Sequence, residues 1–255
     1  MNFTFTQDQL DFQEAISSML RAEVTADSIR ARWQNESGVD SAFMQQAHDL
    51  GLNSMLIPES LGGLGLKPVD FILLAEACGE VALPEPLVES VMVTTPSLVD
   101  ILDQGLGNAD VQKVIDGVLA GEVGVALGHG INPCINYADS ADWFLLPEGD
   151  GVYLLSKEAV TLETKTSVDP SRRLFSASFA ASDACLVADG DAGANLQRAM
   201  LNRGALASAA QLVGLSRGML QQSVSYTSDR EQFGRAIGAN QAVKHLLADV
   251  AVQVE

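Results

Sequence analysis

Tyr226-Thr227-Ser228-Asp229-Arg230-Glu231-Gln232-Phe233-Gly234-Arg235-Ala236-Ile237-Gly238-Ala239-Asn240-Gln241 divides two runs of helical apolar spacing. Upstream, apolar residues such as Met200, Leu206, Leu212, Leu215, Met219 and Val224 recur from Leu196 to Ser228 with no proline. This predicts one long helix of roughly 30 residues, ~45 Å at 1.5 Å per residue. Downstream, Val243, Leu246, Leu247, Val250 and Val254 form the stripe of a second helix starting near Asn240. The bend between them is rich in groups that suit a phosphate-bearing, flat-ringed ligand. Arg230 offers a planar fork of donors for phosphate oxygens, and Phe233 a face for stacking. Gly234 and Gly238 permit close backbone approach, and Gln232 and Gln241 both donate and accept hydrogen bonds. The same residues also read as an inter-helix turn with a surface arginine.

Working outward, the preceding stretch loses the helical period. From about Val123 to Ala188 short apolar runs alternate with turn material: Trp143-Phe144-Leu145-Leu146, Val152-Tyr153-Leu154-Leu155, Ala159-Val160-Thr161-Leu162 and Leu174-Phe175-Ser176-Ala177-Ser178-Phe179. They predict a small antiparallel β domain whose first two runs form a hairpin. Before it the chain reads as helical. Thr6 with Gln9 is a capping-box candidate, a helix is expected over 41–49 and stopped by Gly51, and the Pro- and Gly-rich 56–65 segment reads as an ordered loop. A helix over 69–80 is apolar almost all round and should be buried, with further helices near 88–104 and 111–120. The expected fold class is α+β: an N-terminal helical domain (1–122), a small antiparallel β domain (123–193), and the first two helices of a C-terminal antiparallel bundle (194–255). The last stripe reaches Glu255 without a cap, so the bundle is expected to be incomplete, to need partners over its apolar face, and to leave the chain alone poorly soluble.

Composition narrows the function. The 255 residues carry 33 Asp+Glu against 15 Lys+Arg, a net charge of −18, which argues against nucleic acid and anionic membrane surfaces as partners. No apolar run reaches the ~18–20 residues of a membrane span, and Met1-Asn2-Phe3-Thr4-Phe5 has no signal-peptide character, so a cytoplasmic protein is expected. Cys78, Cys134 and Cys185 give neither a disulfide framework nor metal spacing. His48, His129 and His245 lack Cys, Asp or Glu partners at ligand spacing, so no metal site is expected.

The chain resembles the acyl-CoA dehydrogenase family. Three stretches carry the resemblance: Ile57-Pro58-Glu59-Ser60-Leu61-Gly62-Gly63-Leu64-Gly65 with the helix ending Ala75-Glu76-Ala77-Cys78-Gly79; Asp169-Pro170-Ser171-Arg172-Arg173-Leu174; and Arg230-x-x-Phe233-Gly234-x-x-Ile237-x-x-x-Gln241. The resemblance implies an FAD-dependent oxidoreductase that removes two hydrogens from the α and β carbons of an acyl-CoA thioester, with electron-transfer flavoprotein as acceptor. It implies that Arg230, Gln232, Phe233, Ile237 and Gln241 reach the FAD of a neighbouring subunit in a homo- or hetro-oligomer. Arg203 is a candidate contact to substrate. The second stretch is similar to small-subunit members of pimeloyl-CoA and steroid side-chain type, which suggests fatty acid or steroid catabolism. Its two arginines are expected either to hold acidic neighbours or to lie near CoA phosphates. Two departures stand out. Gly128-His129-Gly130-Ile131-Asn132-Pro133-Cys134-Ile135-Asn136-Tyr137-Ala138 stands where the family has a Glu-Pro-Gly-x-Gly-Ser flavin loop, and Met200-Leu201-Asn202-Arg203-Gly204 holds no carboxylate, so no catalytic base is assigned and it is expected beyond residue 255. The alternative implied is a non-catalytic subunit that completes a partner's FAD site.

Overall fold

The computed structural model describes residues 4–34 and 38–255; the leader reading at Met1-Asn2-Phe3 lies outside them. In chain order the helices are α1 (Gln7–Glu23), α2 (Ala26–Arg32), α3 (Ser41–Asp49), α4 (Pro68–Glu80), α5 (Leu87–Glu89), α6 (Thr95–Asp103) and α7 (Ala109–Leu119). Strands β1 (Val125–Leu127), β2 (Ile135–Asn136), β3 (Trp143–Glu148), β4 (Gly151–Ser156), β5 (Val160–Lys165), β6 (Leu174–Phe179) and β7 (Leu186–Ala188) follow. Then come α8 (Gly190–Asp229), the short strands β8 (Glu231–Gln232) and β9 (Arg235–Ala236), and α9 (Gln241–Val254). These elements form two compact units, one of Met1–Val24, Ile72–Leu83 and Ser208–Glu255, the other of Thr25–Phe71 and Pro84–Ala207.

In the first unit, α1 opens with the expected capping box: Gln9 N donates to Thr6 Oγ1 at 3.3 Å and Thr6 N to Gln9 Oε1 at 2.8 Å. Its inner face buries Ile16 and Leu20, while Leu10 stays exposed. The α4 segment is buried as its composition requires, with Leu73, Leu74, Ala75, Ala77 and Cys78 inside. It meets α8 at backbone distance. A Cβ on Gly79 would lie 2.1 Å from Gln211 O, one on Gly214 1.8 Å from Glu76 O, and one on Gly218 2.3 Å from Glu80 O. Glu76 pairs inside the unit with Arg217 at 3.1 Å, and Arg21 reaches Glu80 at 3.6 Å. The α9 stripe leaves Leu246 67 % exposed.

In the second unit, Asp40 caps α3 through Ala42 N (3.0 Å) and Phe43 N (3.1 Å). Gly51 ends the turn at φ +77°, a left-handed conformation that glycine adopts without Cβ strain. The 56–65 loop is ordered by its own backbone, with Gly65 N on Ile57 O at 2.8 Å and Gly63 N on Pro58 O at 3.1 Å. Between α5 and α6 the chain makes one π turn, Ser90–Thr94. An enclosed ion pair joins Arg32 to Glu85, with side-chain exposures of 3 % and 0 %, and Asp40 Oδ2 lies 3.5 Å from the same guanidinium.

The β region holds two small sheets, ordered β1-β3-β4-β7 and β2-β6-β5. The β3–β4 hairpin is as expected, Glu148 opposite Gly151 across the Gly149-Asp150 loop. The expectation of a purely antiparallel domain needs one correction: β1 pairs with β3 in parallel, Val125 opposite Trp143. The intervening chain contributes β2 to the other sheet, which supplies the crossover that parallel neighbours require. Phe144, Leu146, Leu155, Ile135 and Phe175 form the apolar cluster of these sheets. The helix expected from Leu196 begins instead at Gly190 and runs 40 residues. The Gly190-Asp191-Ala192-Gly193 start has no apolar period. It is held by packing, because a Cβ on Gly193 would lie 1.9 Å from Asp150 O. Among the described residues no helix is long and apolar enough to cross a membrane.

Candidate functional site

The bend between α8 and α9 folds into a two-residue β-hairpin. Glu231 pairs with Ala236 and Gln232 with Arg235, and the base is closed by Ile237 N donating to Arg230 O at 2.8 Å. Phe233 and Gly234 are the loop, at φ +54° and +77°. These are the signs of a type I′ turn, whose usual occupants are Asn and Gly. A phenylalanine there costs about 1–2 kcal/mol of backbone strain, yet the residue is 102 % exposed and gains nothing from its own chain. Arg230 is exposed, and no carboxylate among the described residues is within ion-pair distance of its guanidinium. Gln232 and Gln241 are exposed and Ile237 is half-buried. Gln232 Nε2 donates to Glu231 O at 2.8 Å, and Gln241 Nε2 lies 3.4 Å from His245 Nε2. Arg235 Nη2 donates to Asn240 Oδ1 at 2.6 Å, so the Asn240 side chain ties the hairpin rather than capping α9. A groove of about 450 Å³ runs beside it, lined by Thr227, Ser228, Gly238, Lys244 and Leu247.

Arg203 belongs to the other unit. Its Nη1 lies 2.8 Å from Asp100 Oδ2 on α6 and 3.4 Å from Ser97 Oγ. The guanidinium proposed for substrate is therefore engaged by a carboxylate, and spacing alone did not show this because the pair is 103 positions apart in sequence.

The 128–134 segment makes a tight turn after β1, bridged between His129 and Asn132. Asn132 Oδ1 accepts from Cys134 N at 3.0 Å. His129, Gln197, Arg198, Met200 and Leu201 line a groove of about 260 Å³. Burial holds the His129 ring below the usual histidine range, which favours the neutral imidazole. Trp143 is half-buried, with Lys113 Nζ 5.7 Å from its ring centroid. Among the described residues no group of three or more His, Cys, Asp or Glu side chains could hold a metal ion.

One group escaped sequence reading. Glu89 ends α5 directly before the π turn, and burial pushes its carboxyl up from 4.5 to about 7. Asn136 Nδ2 donates to it at 3.4 Å, and that bond and the nearby Arg172 charge lower the value only in part. The one signal was a lone carboxylate inside Leu87-Val88-Glu89-Ser90-Val91.

A helical segment, two small sheets, then long helices joined by an Arg-x-x-Phe-Gly hairpin define the acyl-CoA dehydrogenase architecture. The model of the acyl-CoA dehydrogenase N-terminal domain matches residues 6–121, and that of the C-terminal domain residues 191–255. The chain belongs to the acyl-CoA dehydrogenase family. It is 28 % identical over 244 residues to acyl-CoA dehydrogenase IpdE2 of Mycolicibacterium smegmatis, covering 95 % of this chain and 71 % of the relative. It is 29 % identical over 281 residues to acyl-CoA dehydrogenase FadE27 of Mycobacterium tuberculosis, covering 100 % and 74 %. The crystal structure of the ChsE4-ChsE5 complex from Mycobacterium tuberculosis superposes with a TM-score of 0.81 at 24 % identity, over 100 % of this chain and 76 % of that one, a likeness of fold.

Proposed function

We infer that this chain works in an FAD-dependent acyl-CoA dehydrogenase and that its α8–α9 hairpin grips the FAD of a neighbouring subunit. The observation that supports this most is Phe233: an aromatic ring in a strained left-handed loop position, fully exposed. The fold alone offers no return for that strain, whereas a stacked adenine would. The donor set fits the group as well. Arg230 supplies an unpaired planar cation for a phosphate, Gln232 and Gln241 supply amide donors and acceptors, and Ile237 supplies apolar contact at the hairpin base. When bound, FAD would supply acceptance of the β-hydrogen of an acyl-CoA as hydride. This chain's residues would orient the dinucleotide and neutralise its charge. Electrons would pass onward to an electron-transfer flavoprotein.

A second reading makes the chain a non-catalytic subunit of a hetero-oligomer. Two observations favour it: the turn at His129 stands where a Gly- and Ser-rich flavin loop is expected, and Arg203 is engaged by Asp100 with no carboxylate in its own 200–204 segment. The test is to purify the protein alone and co-expressed with a related dehydrogenase subunit, reading flavin absorbance near 450 nm and dehydrogenation of acyl-CoA. Yellow, active protein without a partner supports the first reading, and flavin only on co-expression supports the second. Retention of flavin in the assembly by both Arg230→Gln and Phe233→Asn would remove the hairpin from either.

A further inference from the structure

The Asp169-Pro170-Ser171-Arg172-Arg173 motif has no part in the hairpin site. The structure folds it into the wall of a groove of about 180 Å³ lined by Thr164, Lys165, Ser167, Pro170, Arg172 and Arg173, with Leu174 and Phe175. Three of the chain's 15 Lys and Arg residues thus line one groove in a molecule of net charge −18. Two of them are engaged: Arg173 Nε donates to Asp139 Oδ2 at 2.8 Å, and Lys165 Nζ lies 2.7 Å from Glu163 Oε2. Arg172 is exposed, and among the described residues its guanidinium has no ion-pair partner.

Its backbone is nevertheless fixed. Arg172 N donates to Asp169 O at 3.0 Å, closing the turn. Asp169 Oδ1 accepts from Ser171 N at 2.9 Å and from Ser171 Oγ at 2.7 Å, so the one carboxylate of the motif is engaged with Ser171. Ser167 Oγ accepts from Asp169 N at 3.2 Å, which leaves its O–H free to donate elsewhere. A pinned turn carrying an exposed planar fork with a hydroxyl donor in the same groove suits one compact oxyanion, while the charges of Arg173 and Lys165 are already balanced by Asp139 and Glu163.

We propose that this groove binds a phosphate monoester through Arg172 and Ser167. Resting on the acyl-CoA reading above, the ester is the terminal ribose phosphate of the substrate's CoA moiety. The test is calorimetric titration of the full protein, in its assembled form, with coenzyme A, dephospho-coenzyme A and inorganic phosphate. Coenzyme A is expected to bind about tenfold tighter than the dephospho form, the order of one charge-assisted contact at a partly exposed site. Arg172→Gln should abolish that difference, Arg172→Lys should keep part of it, and Ser167→Ala should shrink it. Equal affinities for the two coenzymes, or an unchanged difference in Arg172→Gln, overturn the groove alone. Failure of both coenzymes to bind overturns the acyl-CoA reading along with it. Inorganic phosphate binding as tightly as coenzyme A would assign the groove to free phosphate and overturn its role in CoA recognition.

Discussion

Replacing Glu89 with Gln should flatten part of the protein's pH dependence and stabilise it in mild alkali. The carboxyl ionises near pH 4.5 when free and near 7 in the fold, because burial penalises the charge more than Asn136 and Arg172 relieve it. The folded state therefore binds more protons than the unfolded one between those values, and stability falls as pH rises through that window. At ~1.4 kcal/mol per tenfold change in proton affinity, the loss amounts to about 3 kcal/mol by pH 8. Gln keeps an acceptor for the Asn136 amide and carries no charge. The variant should match the parent at pH 4.5 and exceed it by up to about 3 kcal/mol at pH 8, which for a chain of this size is a melting shift of about 6–12 °C. Because 33 carboxylates titrate in the same range, the readout is the difference between variant and parent at each pH, from thermal or urea unfolding of the full protein. An equal difference at pH 4.5 and pH 8, or a variant less stable than the parent at pH 8, would refute the reasoning.

Phe233→Asn should act in opposite directions on two observables: hairpin strain relieved by about 1 kcal/mol in unfolding experiments, and flavin retained less well by the assembled protein. Gly214→Ala should lower stability by about 1–3 kcal/mol in urea titration, because its Cβ would fall 1.8 Å from the Glu76 carbonyl oxygen. Glu85→Gln should destabilise by at most about 3–5 kcal/mol in urea unfolding, since it removes the enclosed carboxylate partner of Arg32 and leaves only Asp40, at 3.5 Å, to balance the guanidinium, and Arg32→Met combined with Glu85→Leu should recover most of it.

How much of this was legible from residue order depends on the range of the forces involved. The capping box at Thr6, the stop at Gly51, the β3–β4 hairpin and the bend at Phe233 are set by neighbours a few positions apart, and pattern reading located each. The parallel pairing of Val125 with Trp143 was missed because strand direction follows from where the crossover goes, which no local spacing encodes. The early start of α8 was missed because Gly193 is held by contact with Asp150 rather than by an apolar stripe. At the candidate site, residue types were readable at Arg230 and Phe233, but the positive φ of Phe233 was not. The engagement of Arg203 by Asp100 and the raised carboxyl of Glu89 are long-range facts, one of pairing and the other of burial.

The glycines at 79, 214 and 218 leave no slack between two rods. A slide of one residue along either axis would drive a side chain into a carbonyl, so the α4–α8 seam acts as a clamp. Above Gly218 the long rod continues for 11 residues to Asp229, ~16 Å at 1.5 Å per residue. The loop at its tip is thus carried on a cantilever with a fixed foot. Its reach is set by the geometry of the seam, and adjustment at the tip is left to rotamers of exposed side chains such as Arg230 and Gln232 rather than to movement of the mast.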